Sequence, residues 1–174
     1  MSLMRFVTNK DLEQLRRDAT IASRKRLHLN VHRSYEENPQ ILYNCLTRGN
    51  YMRPHRHMLD RRQEFFVCLS GEVLLVLFSD TGEVESILSM ATEGQSKVSS
   101  VIVDPLIWHT LICLSKLAML LEVKPGPFRP NIAKEYAPWS PEEGDPSGIL
   151  FLEQAITRYH TAVDGNIAGG SQWV

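Results

Sequence analysis

At 174 residues, with 43% hydrophobic and 22% charged side chains, the chain has the composition of one globular domain large enough for a sizeable core. Nineteen Lys and Arg against twenty Asp and Glu leave a formal net charge of −1, which argues against nucleic acid or an anionic membrane as partner. No apolar run approaches a bilayer span, residues 73–78 being only a strand's worth, and the start, Met1-Ser2-Leu3-Met4-Arg5, lacks the hydrophobic region of a signal peptide.

Thr8-Asn9-Lys10-Asp11 forms a capping box ahead of Leu12, Leu15, Ala19 and Ala22, a helical spacing that predicts a short N-terminal helix ending near Ser23. The pattern then changes to period two. Arg26, His28, Asn30 and His32 share one face of the next segment, and Leu27, Leu29 and Val31 share the other. Strands are expected over 40–47, 51–58, 64–70, 72–78, 84–89, 97–103, 108–114 and 116–124, with turn signals at Leu69-Ser70-Gly71-Glu72 and Ser79-Asp80-Thr81-Gly82. Many short strands with frequent turns predict an all-β sandwich or closed barrel. Pro125-Gly126-Pro127 and Pro130 cannot continue a central strand, and more loop follows through Pro146. Leu152, Ala155, Ile156 and Tyr159 predict a C-terminal helix over 149–161, and 165–174 carries no pattern. Three parts result: a helical segment over 1–24, a β-barrel over 25–130 and a loop-and-helix extension over 131–174. Cys45, Cys68 and Cys113, odd in number and set in apolar surroundings, fit buried free thiols and a cytoplasmic location. Trp108, Trp139, Met58, Met90 and Met119 are expected to pack, and His160 to lie on the surface.

Side chains two apart on a strand share a face, so His55 and His57 can point at one spot. Glu64 opens a strand-like run and can reach that spot from a neighbouring strand, while Gln63 is one place out of phase. His109, after the turn at Asp104-Pro105, supplies a fourth arm. Three imidazoles and a carboxylate make a ligand set for one divalent transition metal, with Zn, Fe, Mn, Ni and Co all acceptable.

The spacing Gly49-x5-His55-x-His57-x6-Glu64-x6-Gly71 resembles the first motif of the cupin superfamily, and Asp104-Pro105-Leu106-Ile107-Trp108-His109-Thr110 resembles its second. Two departures are visible. Ile107 stands where a glycine is common, and six residues separate His57 from Glu64 where three or four are usual; Leu59-Asp60-Arg61-Arg62 is expected to lengthen a loop without moving Glu64 off its strand. A narrower resemblance, to WbuC-type cupin metalloproteins, covers about residues 8 to 144. It rests on Arg24-Lys25-Arg26-Leu27-His28-Leu29-Asn30-Val31-His32, Arg53-Pro54-His55-Arg56-His57, Trp108-His109-Thr110, Glu122-Val123-Lys124-Pro125-Gly126-Pro127-Phe128 and Ala137-Pro138-Trp139-Ser140-Pro141-Glu142-Glu143-Gly144. The resemblance implies a double-stranded β-helix, a His/Glu metal site, a homodimer, and a role in bacterial surface-polysaccharide metabolism.

Alternation extends the site. Tyr51 and Arg53 are in phase with His55 and His57, and an inward arginine needs either a buried carboxylate or an anionic substrate group. A twist that turns Arg53 outward is the alternative. The Arg26, His28, Asn30 and His32 stripe faces solvent or lines a pocket rim. His28, His32 and Tyr51 are the candidates for acid–base work, and Arg53, Arg26 and Asn30 for substrate contact. Two functions follow. One is a metalloenzyme for a small polar or anionic substrate such as a sugar or sugar nucleotide, working as an isomerase, epimerase or dioxygenase; the other is a non-catalytic sugar-binding or metabolite-binding module.

Overall fold

A computed structural model describes residues 4–94 and 97–166. Helix α1 (Asn9–Ile21) begins at the expected capping box, where Thr8 Oγ1 accepts from the Asp11 amide and the Thr8 amide donates to the Asp11 carboxylate. Ten strands follow in order: β1 (Arg26–Asn30), β2 (Gln40–Thr47), β3 (His55–Arg56), β4 (Glu64–Ser70), β5 (Glu72–Phe78), β6 (Val84–Ala91), β7 (Ser100–Val103), β8 (Trp108–Cys113), β9 (Leu117–Lys124) and β10 (Glu135–Tyr136). Helix α2 (Ser147–Asn166) closes the described chain. It begins before, and runs beyond, the helix expected over 149–161. Of the stretch 165–174, residues 167–174 lie outside the described residues. No helix of the described residues is long and apolar enough to cross a membrane.

The strands form two five-stranded sheets, ordered β1-β2-β9-β4-β7 and β10-β3-β8-β5-β6, and every named strand pairing is antiparallel. This is the all-β cupin fold, a double-stranded β-helix, with one helix before it and one after. Period-two alternation sorts the side chains. Leu46, Phe66, Cys68, Val73, Leu75, Leu111, Cys113 and Leu120 fill the space between the sheets. The other face of β5 and β8, through Leu74, Val76, Trp108 and Ile112, packs against Leu152 and Ala155 of α2. Strand β8 is therefore buried at every position. Leu15 and Ala19 of α1 cover Cys45 and Met119 on the outside of the first sheet. Gly71 joins β4 to β5 at φ +78°, where a Cβ would lie 2.5 Å from the Leu117 carbonyl oxygen, so the turn demands glycine.

Two sequence expectations are corrected. The strand expected over 51–58 is paired only at His55–Arg56, because Pro54 lacks an amide hydrogen and the chain turns immediately after His57. Met58 is 36% exposed in that turn and is not a core residue, whereas Met90 and Met119 are fully buried. The three cysteines are free and buried.

Candidate metal centre

Each ligand of the site comes from a different structural setting. Glu64 is the first residue of β4 and shares the inward phase of Phe66 and Cys68. His109 shares that of Leu111 and Cys113 on β8, and His55 is its register partner on β3. His57 lies just past β3, where its amide bonds the Pro105 carbonyl and its carbonyl accepts from Arg61. The 59–62 insertion is thus taken up in the turn between His57 and β4, and Glu64 keeps its place. The four ligand atoms lie within 4.8 Å of one another, and all four residues are buried.

The second nitrogen of each ring shows what the site is prepared to hold. Nδ1 of His55 lies 3.1 Å from the Arg53 carbonyl, Nδ1 of His57 lies 2.5 Å from that of Ala133, and Nδ1 of His109 lies 2.9 Å from that of Ile107. A carbonyl only accepts, so these contacts put the proton on Nδ1 and leave a lone pair on each Nε2. His57 Nε2 and His109 Nε2 then stand 2.9 and 3.2 Å from the same Glu64 oxygen. Lone pairs facing a carboxylate at that range repel unless something positive lies among them. The His57 contact also lacks hydrogen-bond geometry, so this buried Nε2 has no hydrogen-bond partner despite the short distance. Three imidazole nitrogens and one carboxylate form an N/O donor set that fits a divalent transition metal.

Electrostatics keep the donors in their ligating forms. Burial holds His55 well below the ordinary histidine range, and the Lys134 ammonium pushes the same way. Burial alone would raise the Glu64 carboxyl, but the Lys124 ammonium opposes it and favours the ionised form, so that the group lies well below the carboxylate range.

The cluster opens on a cavity of about 340 Å3 between the sheets. Register places Arg26, His28 and Asn30 opposite Leu46, Asn44 and Leu42, so the polar stripe of β1 faces this cavity, and His32 also lines it. Arg26 is already committed, donating to the Tyr51 carbonyl at 2.6 Å and pairing with Glu143 at 2.5 Å. His32 Nδ1 sits 2.9 Å from the Ile41 carbonyl, and burial lowers the affinity of His28 for a proton. Tyr51 and Arg53 do not line the cavity; Met52 does. Without a continuous strand through 51–54 the expected phase is lost. The Tyr51 hydroxyl donates to the Pro141 carbonyl at 2.6 Å, and burial pushes its pKa up to about 12. Arg53 donates to Ser140 and the Ala137 carbonyl, pairs with Glu142 at 3.7 Å and lies over the Tyr136 ring. Trp108 and Trp139 pack with Phe78, and His160 is exposed.

Four charged residues outside the sequence-predicted site also line the cavity: Glu122, Lys124, Lys134 and Arg24. The first two carried a signal, being in phase with the buried Ala118 and Leu120 on an otherwise apolar strand. Lys124 bridges Glu122 and Glu64, at 2.6 and 3.2 Å, and Asn44 donates to the other Glu122 oxygen.

A family model described as a domain of unknown function (DUF6016) matches residues 7–90. No curated protein matches the sequence. Among solved structures, protein SO0799 from Shewanella oneidensis is 12% identical over 68% of this chain and 82% of its own, with a TM-score of 0.53. TT1209 from Thermus thermophilus is 19% identical over 71% of this chain and 98% of its own, with a TM-score of 0.52. At such identities the likeness is one of fold.

Proposed function

We propose that this cupin-fold chain is a metalloenzyme acting on a small anionic substrate. The observation that carries the reading is the convergence of three Nε2 lone pairs and the Glu64 carboxylate, each ring fixed by a main-chain carbonyl. A divalent cation held by His55, His57, Glu64 and His109 would supply Lewis acidity toward a carbonyl or hydroxyl pair, or activate a water or dioxygen.

The charge of the cavity supports an anion as substrate. Glu64 and Glu122 offset Lys124 and Lys134, while Arg24 and Arg26 share the single carboxylate of Glu143. A divalent cation therefore leaves the cavity lining with three uncompensated positive charges, an unfavourable state unless an anion enters. His28, exposed on the cavity-facing stripe of β1, with its proton affinity lowered by partial desolvation and without a hydrogen bond of its own among the described residues, is the cavity's candidate to accept a proton. The resemblance to WbuC-type cupins directs the search to sugars and sugar nucleotides of bacterial surface-polysaccharide metabolism, handled by a cytoplasmic homodimer, with isomerisation, epimerisation and dioxygenation as the reactions to assay.

A second reading, a non-catalytic metabolite-binding module, is favoured by one observation. Of the three residues considered for proton transfer, Tyr51 points away from the cavity and His32 is bonded to the main chain.

Elemental analysis by inductively coupled plasma mass spectrometry tests the metal. About one equivalent of a single transition metal in the wild type, reduced at least tenfold in His57→Ala, is expected. No metal in the wild type after anaerobic reconstitution with each candidate ion would overturn the metalloenzyme.

A further inference from the structure

The cations that line the cavity are unequally provided for. Arg24 and Arg26 both reach Glu143, and Lys124 holds Glu122 and Glu64 while lying over the Phe128 ring. Lys134 lines the same cavity but makes no hydrogen bond or ion pair among the described residues. Lys134 is half-buried, and desolvation lowers its proton affinity, with Lys124 and Arg26 adding to the effect against the pull of Glu64 and Glu122. An unpaired cation at such a position costs free energy that no contact within the chain recovers.

Nor is the lysine there through slack in the loop. The preceding residue, Ala133, gives its carbonyl to His57 Nδ1. The following residue, Glu135, pairs in register with Arg56 and grips its guanidinium at 2.8 and 3.2 Å. Residues on both sides of Lys134 are thus fastened to the 55–57 segment, Glu135 to Arg56 and Ala133 to His57, and the loop that orients a metal ligand also delivers the ammonium to the cavity.

We propose that Lys134 is the anion-binding residue of this cavity. Its ammonium takes a carboxylate or phosphate oxygen of a ligand whose other polar end lies at the His55, His57, Glu64 and His109 cluster. The assignment rests on the reading of that cluster as a metal site, and it names which residue receives the negative charge. A lysine suits the task as a compact charge with three donors that accepts either anion without demanding planar geometry.

Isothermal titration calorimetry at low salt tests this with two probes, inorganic phosphate and malonate, on metal-free and zinc-loaded protein. Lys134→Met, which keeps the length of the chain without its charge, is expected to weaken the bound probe at least tenfold in either form. Lys134→Arg is expected to stay within about threefold of wild type, a rescue that a purely structural role would not produce. Whichever probe binds identifies the anion as phosphate or carboxylate. Lys134→Gln repeats the comparison should Lys134→Met fail to fold. Unchanged affinity in a folded, uncharged variant overturns the proposal, and so does a wild type that binds neither probe in either form. Zinc content measured on the same samples separates the two readings. Normal zinc with unchanged probe affinity sinks the lysine alone, whereas absent zinc with lysine-dependent phosphate binding sinks the metal alone.

Discussion

The two ends of the barrel interior are built on the same strands and the same inward phase, yet their contents differ completely. Along β4 the inward positions run Glu64, Phe66, Cys68; along β8 they run His109, Leu111, Cys113; along β9, taken backwards, they run Lys124, Glu122, Leu120, Ala118. Each strand passes from charge or imidazole to hydrocarbon within one or two inward steps. The apolar end needs nothing but shape and volume to be stable. The polar end is tolerable only because Lys124 joins two carboxylates and three loop carbonyls fix the imidazoles. The contrast shows where stability and chemistry are separated: the regular strands carry the first, and their frayed ends carry the second.

Substitutions at the two ends should therefore fail differently. Leu75→Ala empties a fully buried position at the apolar end and is expected to cost about 2–5 kcal/mol in urea denaturation, with metal content per folded molecule unchanged. Parallel loss of metal would show that the ends are not separable. At the polar end the effect should run through the ion. Metal at a hundredfold excess over its Kd should raise the stability of the wild type by about 2.7 kcal/mol, seen as a higher Tm. His57→Ala should show no such gain. A gain in both proteins would place the ion elsewhere.

What could be read in the sequence follows the same division. Strand-like runs between turn signals predict β2, β4 and β5 with their observed bounds, and alternation puts His55 and His57 in one phase with Glu64 and His109 within reach of the same point. It fails at 51–54, because period two holds only where a strand is paired and Pro54 interrupts the pairing. Tyr51 and Arg53 are lost to the cavity there. The stripe on β1 is visible as a stripe, but its direction depends on register with β2, a contact between segments rather than a pattern within one. Lys134 leaves no local trace at all. It sits in a loop without periodicity and reaches the site only because β10 pairs with β3, some eighty residues earlier in the chain.

The smallest expected effect lies at the apolar end, where the charge cluster at its edge is satisfied within the chain. Lys97 donates to Glu72, Ser89 and Tyr159, and so ties β5, β6 and α2 together. Burial alone would raise the Glu72 carboxyl, but the hydrogen bonds from Lys97 and Ser89 outweigh it and hold the group below its ordinary 4.5. A carboxyl that titrates lower in the folded than in the unfolded protein contributes stability above its unfolded value, and that contribution disappears as pH falls through the folded value. The Glu72 side chain is 30% exposed, so the contribution should stay below about 1 kcal/mol. Urea titrations of wild type and Glu72→Gln should therefore separate at pH 7 and draw together as pH falls below 4.5, with metal content equal throughout. A gap that does not narrow on acidification would mean that Glu72 acts through packing rather than charge. The far end of the barrel would then owe its stability to shape alone, and every charge with a job would lie around the histidines.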